Sequence, residues 1–287
     1  MSKRVFLYAC TCILALAFGM PQAVSATDVT IRFPVEFSAD IAPGISNQQF
    51  ASLIEERSEG RIKVKYFPDG KLYSGTDIIH AILRGDAEMT TLVSVYWTSI
   101  APKAAVMDLP FAFPSREVFY RVSDDREFLS EVFAEAENKG AVVLGALPYD
   151  YVVPGSRNCA LKKADDFKGQ KLRALGKINA ATLEAIGATP ISINIVELPG
   201  ALQQGLVDGL NTGLDVWLKY KFYENIKRIS TTPYWFCYHL WAANQKWWDS
   251  LSQKDRDLIL DVVKEVVADH RPRAVAESEK SRESLKK

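Results

Sequence analysis

Histidine is scarce in this sequence, with three in 287 residues. His80, His239 and His270 stand alone, none with a neighbour at the spacing of a zinc-ligand pair. The chain has no Gly-x-Ser-x-Gly elbow and no Walker-type loop, and Gly75 and Gly85 make no phosphate cradle, so the signatures of common hydrolases and nucleotide enzymes are missing. Lys and Arg balance Asp and Glu at 35 each. That balance leaves no basic field for nucleic acid or for an anionic membrane surface. Long apolar stretches are also lacking. Val5 to Phe18 is the one extended run, and it falls short of the roughly 20 residues that span a bilayer.

That run sits where a secretory leader would put it. Lys3 and Arg4 precede it, Pro21 breaks it, and Val24-Ser25-Ala26 offers small residues for cleavage, so residues 1–26 read as a signal peptide cut near Ala26. Cys10 and Cys12 lie at the front of the run, whereas a lipoprotein cysteine comes after it. The expected product is periplasmic, slightly acidic, and without direct membrane insertion. At roughly 260 residues it is long enough for one large core or for two lobes. Cys159 and Cys237 then remain, and an oxidising compartment leaves two options open, a bridge between them or two separate buried thiols.

From Val29 onward strand-like and helix-like segments alternate. Val29, Ile31 and Phe33 alternate with polar residues as a half-buried strand does. Gly44 to Glu59 has helical period, with Ile45, Phe50, Leu53 and Ile54 on one face and Gly60 at the stop position. Arg61 to Phe67 alternates again, Ile78 to Leu83 is a helix, and a strand is expected around Glu88 to Val93. The same grammar recurs later: strand at Gln170–Arg173, helix at Asn179–Ile186, strand at Thr189–Ile193, helix at Glu197–Gln204, strand at Val207–Asn211. Two consecutive β-α-β-α-β units predict two α/β lobes with a cleft between their strand ends. The competing arrangement is one continuous doubly wound sheet. The chain is expected to cross between lobes near Leu147-Pro148-Tyr149 and to return through Ile229–Ala243. From Leu251 it reads as a helix, with Leu258, Ile259, Val262, Val263, Val266 and Val267 buried.

Laid out in order, several segments resemble the solute-binding proteins of tripartite ATP-independent periplasmic (TRAP) transporters, of the dicarboxylate-binding (DctP) type. They are Glu56–Ile62, Phe67–Leu72, Leu109-Pro110-Phe111, Asp166–Arg173, Glu184–Pro190, Ala201–Gly209, Lys221–Glu224 and Asn244–Leu251. The resemblance implies a two-lobed, type II-like periplasmic binding fold with a C-terminal helical region. It places a first lobe at 27–148 with a return segment at about 239–270. A second lobe at 149–238 takes the C-terminal helix at about 271–287. It also implies capture of a small carboxylate, delivery to integral-membrane permease subunits, no chemistry on the ligand and no cofactor. The main alternative is a ligand sensor, in which the same closed form touches a membrane receptor rather than a permease, whereas a secreted hydrolase would need a nucleophile with an orienting base.

Arg173 is the leading candidate, because ligand crevices in open α/β lobes lie beyond the carboxyl ends of strands. A guanidinium there can grip a carboxylate through two parallel hydrogen bonds. Asn211 and Thr212 end a later strand of the same lobe, with Asp215 and Trp217 one turn on. Glu36 and Phe37 end the first strand, Thr91, Ser94 and Tyr96 hold the matching place on the first lobe's later strand, and Tyr149 and Tyr151 lie at the crossover. Departures from the family pattern shape the expected ligand. Tyr149–Val153 has no base where a second one is frequent, and Arg157 is out of register. Leu210-Asn211-Thr212 replaces a glutamine-glutamate-asparagine run, Tyr234 stands in for a histidine, and the chain ends several helical turns early. These changes lean toward an aromatic or hydroxylated monocarboxylate over a dicarboxylate or sialic-type sugar acid. No metal site is read from the sequence, and a metal bridging a ligand to Glu36 or Asp215 is left open.

Overall fold

The computed structural model describes residues 28–230 and 232–286, so the leader reading at 1–26 lies outside the described residues. Strand β1 (Val29–Pro34) runs parallel to β2 (Ile62–Phe67) across helix α1 (Ala42–Arg57). The chain continues through α2 (Thr76–Arg84), β3 (Met89–Val93), α3 (Ser94–Trp97), a 3-10 turn (Pro102–Asp108), α4 (Arg116–Asp124) and α5 (Arg126–Asn138). Then comes β4 (Ala141–Ser156), a strand of 16 residues. The second β-α repeat comes next as β5 (Lys171–Ala174), α6 (Gly176–Ala185), β6 (Thr189–Ser192), α7 (Leu198–Gln203), β7 (Gly209–Thr212) and α8 (Leu214–Lys219). Strand β8 (Trp235–Asn244), α9 (Gln245–Ser250) and α10 (Gln253–Leu285) complete it.

The six strands of the main sheet lie in the order β3-β8-β4-β7-β5-β6. Strand β3 of the first repeat and β5 to β7 of the second are linked through β4 and β8, which pair along nearly their whole lengths, while β1 and β2 form a separate two-stranded sheet. The β1–β2 pair attaches beside β3: Glu88 N–H donates to the Arg32 carbonyl at 3.2 Å and Thr90 Oγ1 to the Pro34 carbonyl at 2.8 Å. The two expected crossings fall on β4 and β8.

Local chemistry sets the helix ends. Gly85 closes α2 in the left-handed conformation at φ 80°, which costs a glycine little. Ser252 caps α10 by accepting from Asp255 N–H at 3.1 Å, while its own hydroxyl donates to the Asp255 carboxylate at 2.7 Å. Helix α10 buries Ile259, Val262, Val263, Val266 and Val267 as expected. It packs along α1 and β4 and then reaches α8. On α1, Phe50 and Ile54 are buried but Ile45 is exposed, a correction to the expected face. The α1 N-terminus buries Ala42, Pro43, Ser46 and Asn47 instead.

Strand β8 divides the core by simple alternation. Trp235, Cys237, Trp241 and Ala243 face the cluster shared with α1 and α10. Phe236, Tyr238, Leu240 and Ala242 face the cluster under α4 and α5.

Candidate functional site

Arg173 sits near the end of β5, opposite Ile191 of the parallel strand β6. It is 3% exposed. Its Nε donates to the Ile193 carbonyl at 3.0 Å, which fixes the direction of the guanidinium. Among the described residues it has no ion-pair partner, although the other buried-side arginine pairs, such as Arg61–Asp255 and Arg116–Asp150, are closed at 2.5 and 2.6 Å. An unpaired buried cation is costly unless something compensates it.

Burial works against ionisation of the acids near it. Burial pushes the Glu36 carboxyl above the usual carboxylate range, and the nearby Arg173 charge and the hydrogen bond from Tyr96 offset this only in part. Burial likewise raises Asp215 and Asp108 to about 7, with backbone and side-chain donors pulling the other way. His239 is driven down to about 3 by burial first and by neighbouring His270 second, so it is neutral.

Arg173, Glu36, Phe37, Asn211, Thr212 and Tyr149 converge on one cavity of about 60 Å³. Six of the thirteen residues expected from sequence are thus brought together. The others have different tasks. Tyr96 stands behind the wall, its hydroxyl donating to Glu36 Oε1 at 3.1 Å. Asp215 accepts from Tyr149 Oη and from Val216 N–H at 2.8 Å, holding the tyrosine that lines the cavity. Thr91 accepts from Asn47 Nδ2 at 2.7 Å, and Ser94 donates to Asp108 at 2.6 Å, so both belong to buried internal contacts. Trp217 is core, wedged so closely on Gly155 that an added methyl there would lie 2.7 Å from its ring. Tyr234 lines a separate apolar groove of about 220 Å³ with Phe111 and Phe167, and its hydroxyl accepts from Asn179 at 2.9 Å.

Tyr149 and Tyr151 are parted by a bulge. Pro148 pairs with Tyr238 and Asp150 with Cys237, so Tyr149 is the extra residue on β4. One inserted residue reverses the facing of the strand residues beyond it. Tyr151 therefore packs on Phe236, on the far side of the sheet from Tyr149.

Sequence reasoning missed most of the opposite wall. Trp235, Cys237 and His239 line the cavity from β8, and Val93, Ile195 and Val216 add apolar surface. The signal was the spacing of 235, 237 and 239, two residues apart, which becomes legible once that segment is known to be a strand. Cys237 and Cys159 are both free thiols, which resolves the open pairing in favour of two separate cysteines.

The profile of bacterial extracellular solute-binding proteins, family 7 (DctP), matches residues 41–287. The chain belongs to this family. It is 33% identical over 162 residues to the uncharacterized protein YiiZ of Salmonella typhimurium, covering 54% of this chain and 48% of that one, about half the relative's length. The 2,3-diketo-L-gulonate-binding periplasmic protein YiaO of Escherichia coli is 25% identical over 251 residues, covering 87% of this chain and 76% of its own. In three dimensions the chain is similar to the sugar acid binding protein DctPAm of Advenella mimigardefordensis, solved in complex with galactonate. The TM-score is 0.86 at 27% identity, over 91% of this chain and 84% of that one. DctP-family membership makes this chain a solute-binding protein and not an enzyme, and accounts for the two-lobed α/β architecture. Among the described residues no helix is long and apolar enough to cross a membrane.

Proposed function

We propose that this protein captures a small monocarboxylate at Arg173 and delivers it to the membrane subunits of a TRAP-type permease. The observation that carries this reading is the buried guanidinium on the cavity wall, which makes no ion pair among the described residues. A carboxylate is the group that would complete it, through paired charge-assisted hydrogen bonds. Among the described residues no other cation lines the cavity, which disfavours a second carboxylate on the ligand. The relatives named above for sugar acids support the class.

The first lobe is assigned to 27–148 with 239–270, and the second to 149–238 with 271–287. Glu36 and Phe37 then approach from one lobe, Arg173, Asn211 and Thr212 from the other. Small-ligand sites usually enclose hundreds of cubic ångströms, so about 60 Å³ holds a water or two rather than an organic acid. The lobes must part for the ligand to reach Arg173, and ligand favours closure only through contacts better made in the closed form. Export through a cleaved leader at 1–26 belongs to the same proposal.

The test is a thermal-shift screen over mono- and dicarboxylates, then calorimetry on wild type and on Arg173→Ala. A monocarboxylate bound by wild type and lost by a folded Arg173→Ala is expected. Unchanged affinity in that variant overturns the assignment, and tight binding of succinate or malate overturns the monocarboxylate class.

A further inference from the structure

Three polar atoms on residues of the cavity wall, Asn211 Oδ1, Trp235 Nε1 and His239 Nδ1, have no partner among the described residues, and the first has its identity fixed by a relay of hydrogen bonds. The backbone N–H of Leu175 donates at 3.0 Å to Asn179 Oδ1, so that atom must be the amide oxygen. Asn211 Nδ2 bonds to the same Asn179 Oδ1 at 3.3 Å and to the Arg173 carbonyl at 3.2 Å, both of them acceptors. A flipped Asn211 would set oxygen against oxygen twice. Its orientation is therefore fixed, both amide hydrogens are used inside the protein, and Oδ1 is an acceptor. That Oδ1 is buried and has no partner among the described residues, on a side chain that is 2% exposed. Buried polar atoms are rarely left so, because the missing bond costs their full desolvation.

We infer that Asn211 accepts a hydrogen bond from a hydroxyl next to the ligand's carboxylate, which makes a 2-hydroxy monocarboxylate the class this cavity takes. The inference rests on the proposed carboxylate–Arg173 pairing and refines it. Asn211 stands on β7 beside Arg173 on β5 and is bonded to its carbonyl, and both line the same small cavity. A carboxylate on the guanidinium brings its neighbouring carbon toward Asn211, where a donor is required. An ammonium donor is disfavoured by charge, because it would be desolvated beside the Arg173 guanidinium on the same wall. A second carboxylate offers no donor when ionised. Of the other two unmet atoms, Trp235 Nε1 is a donor that suits a ligand oxygen, and His239 Nδ1, on a neutral ring edge-on to Phe37 at 4.7 Å, suits a further hydroxyl rather than a charge.

The test uses the mature full chain and matched pairs of acids that differ only at the 2-position: lactate and propionate, 2-hydroxybutyrate and butyrate, D-galactonate and its 2-deoxy analogue. Calorimetry is expected to show the hydroxy member of a bound pair at least about tenfold tighter, since its absence leaves a buried acceptor unpaired. In Asn211→Ala the ratio should fall to within about threefold while binding still depends on Arg173. Asn179→Ala, which frees Asn211 to flip, should lower the ratio without touching the ligand, and a ratio left intact there rules out the relay. Equal affinity within the wild-type pairs, or preference for the deoxy acid, overturns this inference and leaves the carboxylate reading standing. Failure of every monocarboxylate to bind overturns both. The wild-type pairs decide even if a variant proves unfolded by circular dichroism.

Discussion

Replacing Arg173 with methionine separates binding from folding in a way that only an uncompensated charge explains. The guanidinium is 3% exposed and unpaired among the described residues, and its one protein hydrogen bond, to Ile193, is worth about 0.5–1.5 kcal/mol. Against that loss stands removal of a buried cation, and replacing even paired buried charges by apolar side chains of similar volume is often neutral or stabilising by about 1–4 kcal/mol. The ligand-free variant is expected to gain about 1 kcal/mol net. At about 2–4 °C per kcal/mol for a chain of this size, calorimetric melting should rise by about 2–4 °C. Truncating one partner of a buried charge pair costs binding about 2 kcal/mol or more, at least ~30-fold in Kd. The expected signature is a protein that melts higher and binds worse. A variant that melts lower and binds the acid as well as wild type would refute the reasoning, because the charge would then be serving the fold.

Four more outcomes are expected of the same structure. The folded state holds a proton on Asp215 up to about pH 7, while an unfolded aspartate loses it near 3.8, so this contribution is present below 3.8 and lost as pH rises through 7. The melting advantage of Asp215→Asn over wild type should therefore grow between pH 4 and 7, and a constant difference would remove the raised pKa from the account. His239 runs the other way: held down to about 3 against 6.5 unfolded, it supports stability fully above 6.5 and loses it as pH falls toward 3. His239→Phe should flatten the acid side of the melting curve, and an unaltered slope speaks against a buried neutral ring. Gly209→Ala would set a methyl 2.1 Å from the Gly155 carbonyl on the adjoining strand, so denaturant titration should show a loss of about 1–3 kcal/mol, and a neutral result would mean β4 and β7 are further apart. A thiol reagent should titrate Cys159 in the native mature chain and both cysteines after unfolding, whereas no free thiol after unfolding would reveal a bridge.

Much of the fold is written locally. Alternation at Val29, Ile31 and Phe33 marks β1, and left-handed Gly85 ends α2 where the apolar period stops. Arg173 is legible because a short strand and the helix after it place a residue at a crevice whatever the rest of the chain does. The long strands are not legible. Pro148, Pro154, Gly145 and Gly155 all fall inside β4 and read as breaks, yet bulges at Val143/Gly145 and Pro148/Asp150 absorb the irregularity there. Strand β8 is buried along its whole length, so it shows no polar alternation by which to tell its faces. That is why Trp235, Cys237 and His239 escape a sequence reading and why Tyr151 looks equivalent to Tyr149. Sequence spacing cannot reveal which of two tyrosines lies beyond a bulge. Thr91 and Ser94 lie at the expected end of β3, but their hydroxyls are engaged by Asn47 and Asp108, partners distant enough that only the fold brings them near.

The most direct test is a crystal structure of the mature chain grown with the tightest monocarboxylate from the screen. The ligand's two carboxylate oxygens are expected at about 2.7–2.9 Å from the Arg173 guanidinium, inside the cavity lined by Asn211 and His239. A ligand bound elsewhere, or one whose carboxylate turns away from Arg173, would contradict the account.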